Sequence, residues 1–163
     1  MLHMRILVVS DSHGRWIRLY DVVKSVTDAD TIIHLGDGAD DVEKCMDSIK
    51  GCRIISVAGN CDFFSHDPEI RVLTLADKRI LCTHGHNYRV KMGPDRLVYA
   101  AMEQNADICL FGHTHVAECF FHEGIHFMNP GSLGSPRSGI PTYGVVDITD
   151  AGIVCNIREY RQK

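Results

Sequence analysis

The segment CLFGHTH, residues 109–115, places two histidines directly after a short apolar run. Histidine is an unusual residue with which to end a buried strand, and here a glycine precedes the pair, His113 and His115. Neutral imidazole is a frequent ligand of divalent transition metals. The segment therefore predicts a metal-binding site at the end of a strand.

Four other apolar runs of the chain also end in potential metal ligands, usually beside a glycine. These endings are Asp11 and His13 in DSHG, Asp37 in LGDG, Asn60 and Asp62 in GNCD, and His84 and His86 in THGH. Carboxylates, an amide oxygen and imidazoles suit Mn, Fe or Zn better than copper or an iron–sulfur cluster. They are too many for one tetrahedral ion. Two ions about 3.5–4 Å apart that share a carboxylate could use them all, as in two-metal phosphoester hydrolysis.

The elements that must position these side chains are predicted from short apolar runs and helical spacing. Strands are predicted over residues 5–10, 31–35, 53–58, 78–84 and 107–112, helices over 15–28, 39–50 and 94–106, and hairpins over 116–130 and 142–160. Asp40 is the predicted N-cap of the second helix, and His34 is predicted to form hydrogen bonds either behind the metal ligands or in the core. The order indicates an α/β core with a mixed or second sheet. If the five strands are parallel, their ends meet at one ligand-binding edge.

Composition narrows the class of protein. The 163 residues predict a single domain over 1–163, and the net charge of -4 argues against a binder of duplex nucleic acid. Seven cysteines without a CxxC pair indicate a reduced, cytoplasmic setting, and nothing approaches the length of a membrane span. A strand through CFFHEG (119–124) must turn Phe120 or Phe121 outward, which suggests a homo-oligomer interface.

In order, the five endings resemble the sequence blocks of the calcineurin-like metallophosphoesterases: D-x-H, G-D, G-N-x-D/E, H-G-H and G-H-x-H. The matching segments run from Asp11 to His115, and the later NPGS (129–132) is typical of the smaller members. The chain resembles in particular the compact bacterial and archaeal phosphodiesterases, which have a distant relative in the small subunit of retromer. The resemblance implies two facing mixed β-sheets flanked by helices, an α/β/β/α sandwich.

The resemblance also implies a role for each residue of the site. Asp11, His13 and His115 would hold one divalent ion, Asn60, His84 and His113 the second, and Asp37 would bridge the two. Manganese is the first expectation for both ions, with nickel, iron and zinc as alternatives. His86 would contact the phosphate, and Asp62 would orient a neighbouring imidazole or the loop. A bend at Gly112 would aim His113 and His115 at different ions.

The implied reaction is hydrolysis of a small phosphate diester by in-line attack of a metal-bridging hydroxide. Cys61 stands where many family members have a histidine that is the proposed acid for the leaving group. A thiol beside two cations ionises readily, so His86 or water is the alternative proton source, and aryl leaving groups should react faster than alkyl ones. The other function considered is a non-catalytic metal-binding interaction scaffold, as the retromer relative shows. Retention of every ligand position favours the enzyme.

Overall fold

A computed structural model describes residues 3–162, which form two five-stranded β-sheets and three α-helices. The strands are β1 (His3–Val9), β2 (Thr31–His34), β3 (Ile54–Ser56), β4 (Ile70–Leu75), β5 (Lys78–Thr83), β6 (Ile108–Leu110), β7 (Glu118–His122), β8 (Ile125–Asn129), β9 (Thr142–Thr149) and β10 (Gly152–Glu159). The helices are α1 (Trp16–Ser25), α2 (Ala39–Ser48) and α3 (Asp95–Glu103), and two 3₁₀ turns cover His86–Tyr88 and Val90–Met92.

Both sheets are mixed, as the family resemblance implies. The first has the order β10-β9-β1-β2-β3, in which β1, β2 and β3 are parallel. The second has the order β4-β5-β6-β8-β7, in which β5, β6 and β8 are parallel. The five strand ends that carry polar residues therefore belong to two sheets, three to the first and two to the second. They do not share the edge of a single sheet.

Alternating side chains divide the apolar residues into three layers. On β1, Ile6 and Val8 face the second sheet, whereas Leu7 and Val9 pack against α1 and α2. On β5 and β6 the same alternation sends one set of side chains into the layer between the sheets and the other set towards α3. All three layers contain fully buried aliphatic residues. This arrangement confirms the α/β/β/α sandwich.

The start of α2 differs from its prediction, because Asp40 is not the N-cap. The N-cap is Gly38, and no side chain within the helix caps it. Instead, Asp62 from the loop after β3 accepts hydrogen bonds from the backbone N–H groups of Gly38 and Ala39, both at 3.0 Å. Asp62 lies more than twenty residues away in sequence, so no local pattern could identify it as the cap.

The strand β4 has no counterpart among the predicted elements. It pairs with β5 through a two-residue turn, and both turn residues, Ala76 and Asp77, have left-handed backbones with φ of 48° and 59°. Such a turn favours Asn-Gly or Asp-Gly. Because alanine replaces the usual first residue and no glycine follows, the hairpin carries no turn signal in its sequence.

The later hairpins, β7–β8 and β9–β10, form as predicted. Phe121 points outward with 64% of its surface exposed, whereas Phe120 stacks on Phe127 with ring centroids 4.7 Å apart. The outward residue of CFFHEG is therefore Phe121, and a homo-oligomer remains a prediction. Within residues 3–162, none of the helices has the length and apolar character needed to cross a membrane.

Candidate metal centre

The polar strand ends of both sheets converge around Asp11, which follows β1 and is completely buried. Its Oδ1 atom lies 3.2 Å from His115 Nε2, 3.5 Å from His13 Nε2 and 3.7 Å from His84 Nε2. His13 Nε2 and His115 Nε2 are 3.2 Å apart. Two of these histidines come from the loops after β1 and β6, so this group joins the two sheets.

A second group forms around Asp37, which follows β2. Its Oδ2 atom lies 3.2 Å from His84 Nε2 and 3.7 Å from His13 Nε2. His84 Nε2 and His113 Nδ1 are 3.1 Å apart. Imidazole nitrogens about 2.0–2.1 Å from a common ion would be separated by about 3.0–3.4 Å. The spacing of the histidine pairs in both groups fits ligands of a shared metal ion.

In two imidazoles, the ring nitrogen that points away from the carboxylates forms a hydrogen bond. This bond determines which nitrogen of the ring keeps a free lone pair. His84 Nδ1 lies 2.7 Å from the carbonyl oxygen of Leu35, and His115 Nδ1 lies 2.7 Å from that of Ser135. A carbonyl only accepts hydrogen bonds, so Nδ1 of both rings must carry the proton. In the neutral rings the Nε2 lone pairs then face the carboxylates, which is the usual arrangement of a metal-binding histidine.

The surroundings of Asp11 Oδ1 show whether these residues suit a cation. Although this oxygen is buried, it has no hydrogen-bond donor within residues 3–162, while three imidazole nitrogens surround it. A buried carboxylate oxygen without a partner is costly. A divalent ion in contact with Oδ1 and the imidazoles would satisfy it, so the donor set fits a metal.

The electrostatics of the site keep both carboxylates ionised. Burial disfavours the charge of Asp11, but His115 and His13 outweigh burial and hold the pKa of Asp11 well below its usual range. Burial likewise opposes the charge of Asp37, yet His84 lowers the pKa of Asp37 to about 2. Both side chains are therefore anionic at neutral pH and available to a cation.

The pKa values of the histidines around these carboxylates shift in different directions. Interaction with Asp11 raises the pKa of His13. Burial lowers the pKa of His84, but the stronger combined effect of Asp37 and Asp11 raises it overall. His113 is desolvated and close to His84, which lowers its pKa to about 4. His34, completely buried, also has a lowered pKa and bonds to Ser12 Oγ at 2.9 Å, as expected of a core histidine.

We expect metal affinity to weaken as the pH falls from about 8 to about 6. The pKa values of His13 and His84 are raised, so as the pH falls both imidazoles take up a proton earlier than a free imidazole would, and this proton must leave before an ion binds. Below its pKa each imidazole should reduce affinity by about tenfold per pH unit. Calorimetry of manganese binding in buffers of different ionisation enthalpy measures both the affinity and the protons released. Equal affinity at both pH values with no proton release would contradict the expectation.

Five of the predicted ligands have left-handed backbones. Their φ values are 53° for Asp11, 43° for His13, 57° for Asp37, 71° for His113 and 60° for His115. Non-glycine residues are uncommon in this region, and such strain concentrates at functional sites. The bend predicted at Gly112 therefore lies at the two histidines themselves, because positive φ is found at His113 and His115 and not at Gly112.

Gly112 is required for a different reason: the residues that follow β1 approach its backbone closely. A Cβ at this position would lie 2.2 Å from Ser10 Oγ and 2.7 Å from Asp11 Oδ2. We expect Gly112→Ala to displace Asp11 and to weaken manganese binding by about tenfold or more. Gly124→Ala is the control for general destabilisation, since its Cβ would meet nothing within 4 Å but its φ of 77° at a hairpin turn makes alanine strained there. Equal losses of affinity in both variants would show that general destabilisation is responsible.

The structure places the other four predicted site residues around these groups. Cys61 Sγ lies within 4.8 Å of potential ligand atoms of His13 and Asp37. The Asn60 side chain is exposed, and its one hydrogen bond within residues 3–162 is to Cys61 Sγ at 3.6 Å. The ring of His86 lies 5.5 Å from that of His84 and 6.1 Å from that of His113. Within residues 3–162, the hydrogen bonds of the Asp62 carboxylate come from backbone N–H groups of the surrounding loops and not from an imidazole.

Partial desolvation raises the pKa of the Cys61 thiol, and the carboxylates of Asp37 and Asp62 add to this effect. The nearby protein charges thus favour the neutral thiol. The lowered pKa predicted for the metal-loaded protein stays a prediction.

Several supporting residues were not recognised in the sequence. Ser10 Oγ donates to Asp11 Oδ2 at 2.5 Å, and Ser132 Oγ donates to the Asp11 carbonyl at 2.7 Å. Asn129 donates to the carbonyl of Gly112 at 3.1 Å. Asn129 and Ser132 belong to NPGS, the motif whose function was unassigned, and they brace the loops after β1 and β6. Glu69 Oε1 lies 3.6 Å from His86 Nε2, and no pattern in the sequence marks it.

The fold and the site together define a two-sheet α/β protein with a histidine–carboxylate metal-binding centre between the strand ends of both sheets. The family model for the calcineurin-like phosphoesterase superfamily domain matches residues 4–151. The chain therefore belongs to this superfamily, whose members bind divalent metals.

Individual relatives agree with this assignment. The chain is 34% identical over 135 residues to the probable metallophosphoesterase YsnB of Bacillus subtilis, covering 82% of this chain and 78% of the relative. It is 35% identical over 104 residues to the phosphodiesterase YfcE of Escherichia coli, covering 58% and 53%. A crystal structure of a predicted phosphoesterase from Streptococcus pneumoniae superposes with a TM-score of 0.82 at 32% identity, covering 98% and 91%. Zinc-bound Vps29 from Entamoeba histolytica shares the fold at a TM-score of 0.73 and 20% identity, covering 97% and 100%.

Proposed function

We propose that the chain is a phosphodiesterase that hydrolyses small phosphate diesters at a centre of two divalent metal ions. One ion would be held by Asp11, His13 and His115, the other by Asn60, His84 and His113, with Asp37 between them. The observation that carries this proposal is the position of Asp37 Oδ2, which faces His84 of one group at 3.2 Å and His13 of the other at 3.7 Å. A carboxylate shared by two histidine groups is the arrangement that a two-ion site requires.

Two bound divalent ions would supply activated water near neutral pH and positive charge beside the phosphate. Because the protein contributes only two carboxylates to the ions, the loaded centre would keep a net positive charge and attract an anionic ester. The family membership and the phosphodiesterase name of one relative support a hydrolytic reaction. Manganese is our first candidate, with nickel, iron and zinc as alternatives.

Two residues beside the ions, His86 and Cys61, would act on the substrate. His86 would donate a hydrogen bond to the phosphoryl oxygens, and its contact with Glu69 at 3.6 Å would hold the ring in place. Asn87 Nδ2 donates to the same carboxylate at 2.7 Å, which fixes Glu69 in turn. Cys61 lies beside Asp37 and would protonate the leaving group only while it stays a thiol. His86 or water would provide the proton otherwise.

The experiment that tests this proposal is hydrolysis by chelator-stripped protein to which Mn, Ni, Fe or Zn is restored singly. Bis-p-nitrophenyl phosphate and p-nitrophenyl phosphate, assayed side by side, separate diester from monoester hydrolysis. We expect turnover only with added metal, faster on the diester, with two ions bound per chain. His122→Gln is a matched control, because it removes an exposed histidine of the β7–β8 hairpin and should change nothing.

Folded protein that binds ions yet hydrolyses neither ester with any of them would contradict the proposal. That result would favour the interaction scaffold, a possibility that the shared fold of Vps29 brings to this chain. Turnover with a single ion per chain would retain the phosphodiesterase but reject the dinuclear centre.

A further inference from the structure

Two consecutive phenylalanines lie exposed beside the candidate metal centre. Phe63 is 83% exposed and Phe64 is 96% exposed, and they directly follow Asp62 in the loop after β3. A single exposed apolar residue is ordinary, but two adjacent and almost fully exposed aromatic rings indicate a binding surface. Nothing in the proposed reaction at phosphorus requires them.

The loop that carries the two rings is braced at several points. Asp62 accepts hydrogen bonds from Asp37 and Gly59 N–H groups at 2.7 and 2.8 Å. Further along, Ala58 N–H donates to the carbonyl of Pro68 at 2.9 Å, and Ser56 Oγ donates to Asp67 at 2.6 Å. The rings are therefore held on a fixed backbone, and little ordering of the loop would accompany binding.

A groove connects these rings with the metal centre. It has a volume of about 850 Å³, and its lining includes the candidate ligands His13 and Asp37 as well as Cys61, Phe63 and Phe64. This volume lies in the range of small-molecule sites. An ester group attached to a phosphate at the metals can therefore reach the aromatic rings without leaving the groove.

The charge of the groove limits what this ester group can be. The α2 side of the lining includes the carboxylates of Asp40, Glu43 and Asp47 and the ammonium group of Lys44. Carboxylates there repel a second phosphate but accept hydrogen bonds from N–H and O–H groups. Open ring faces suit a flat aromatic group, whereas a quaternary ammonium group favours an enclosing aromatic cage. The combination matches an uncharged nucleoside, with a planar base and hydroxyl and amino donors.

We propose that the natural substrates are phosphodiesters of a nucleoside, with the base stacked on Phe63 and Phe64 and the phosphate at the metal centre. This inference rests on the proposed function, since it assigns the substrate class of the same site. Phe63 and Phe64 are then specificity-determining residues, and they leave the chemistry at phosphorus unchanged.

The test compares two ligands that differ only in the base, adenosine 5′-monophosphate and ribose 5-phosphate. Each is titrated calorimetrically into manganese-loaded protein and used to inhibit hydrolysis of bis-p-nitrophenyl phosphate. We expect adenosine 5′-monophosphate to bind about tenfold more tightly, which is the contribution of a stacked base. In the Phe63→Ala/Phe64→Ala variant this ratio should fall to about one, with the affinity for ribose 5-phosphate unchanged. Phe121→Ala, an exposed phenylalanine of β7, should leave the ratio unaltered.

The outcomes separate this inference from the proposed function. If the ester is hydrolysed but both ligands bind equally, the phosphodiesterase stands and the nucleoside site is rejected. Tighter binding of phosphocholine than of either ligand would reject it as well, in favour of a cationic ester group. If no ion supports hydrolysis, the proposed function fails, and the calorimetric ratio still decides whether the aromatic rings bind a base.

Discussion

Asp37→Asn should lower metal-dependent hydrolysis by about a thousandfold while the protein remains folded. The amide retains an oxygen that can accept the Cys61 N–H, now bonded to Asp37 Oδ1 at 2.8 Å, but it loses the charge between the two histidine groups. The electrostatic contribution of a metal ion to such a reaction is several kcal/mol, and each 1.36 kcal/mol corresponds to about a factor of ten in rate. Turnover of bis-p-nitrophenyl phosphate and bound metal per chain measure the effect.

Asp77→Asn provides a closely matched control for this variant. Asp77 has a φ of 59°, against 57° for Asp37, so both substitutions place asparagine in the same backbone conformation. Asp77 lies exposed in the β4–β5 turn and should affect neither metal content nor turnover. Activity of Asp37→Asn within tenfold of the wild type, at equal metal content, would remove Asp37 from the ligand set.

Asp62→Ala should be the most destabilising single substitution in the loops around the site. Its two carboxylate oxygens accept four backbone N–H groups, from Asp37, Gly38, Ala39 and Gly59, at 2.7–3.0 Å. Three of these donors belong to buried residues. A buried N–H group that has no acceptor costs about 1–3 kcal/mol. Since water can reach part of the half-buried position, we expect a loss of about 2–4 kcal/mol in the free energy of unfolding.

Chemical denaturation measures this loss, and Asp40→Ala is the control. Asp40 lies at the first turn of the same helix without capping it, so its removal should cost no more than about 1 kcal/mol through the helix dipole. We also expect weaker metal binding in Asp62→Ala but not in Asp40→Ala. The reason is that the backbone N–H group of Asp37, a residue with a strained backbone, loses its acceptor in Asp62→Ala. If Asp40→Ala proved the more destabilising, the capping role of Asp62 would be wrong.

The residues of the candidate metal centre could be proposed from the sequence because each lies within a short local pattern. An apolar strand followed by glycine and a ligand is recognisable wherever it occurs, and five such patterns in order matched one family. The alternation that separates Ile6 and Val8 from Leu7 and Val9 follows from the pleat of β1. The strand β4 was missed because Ala76 and Asp77 form its turn without the usual glycine.

The sequence by itself determined the fold class, the identity of the predicted ligands and the chemistry they suit, since these depend on residue types and short spacings. Only the tertiary structure showed that the strand ends belong to two sheets, that Asp62 caps α2 and that Glu69 contacts His86. It also showed that five predicted ligands have left-handed backbones and that Phe63 and Phe64 share a groove with the candidate metal centre. These features depend on contacts between residues distant in the chain. Sheet order and loop paths bring such residues together, and no local pattern encodes them.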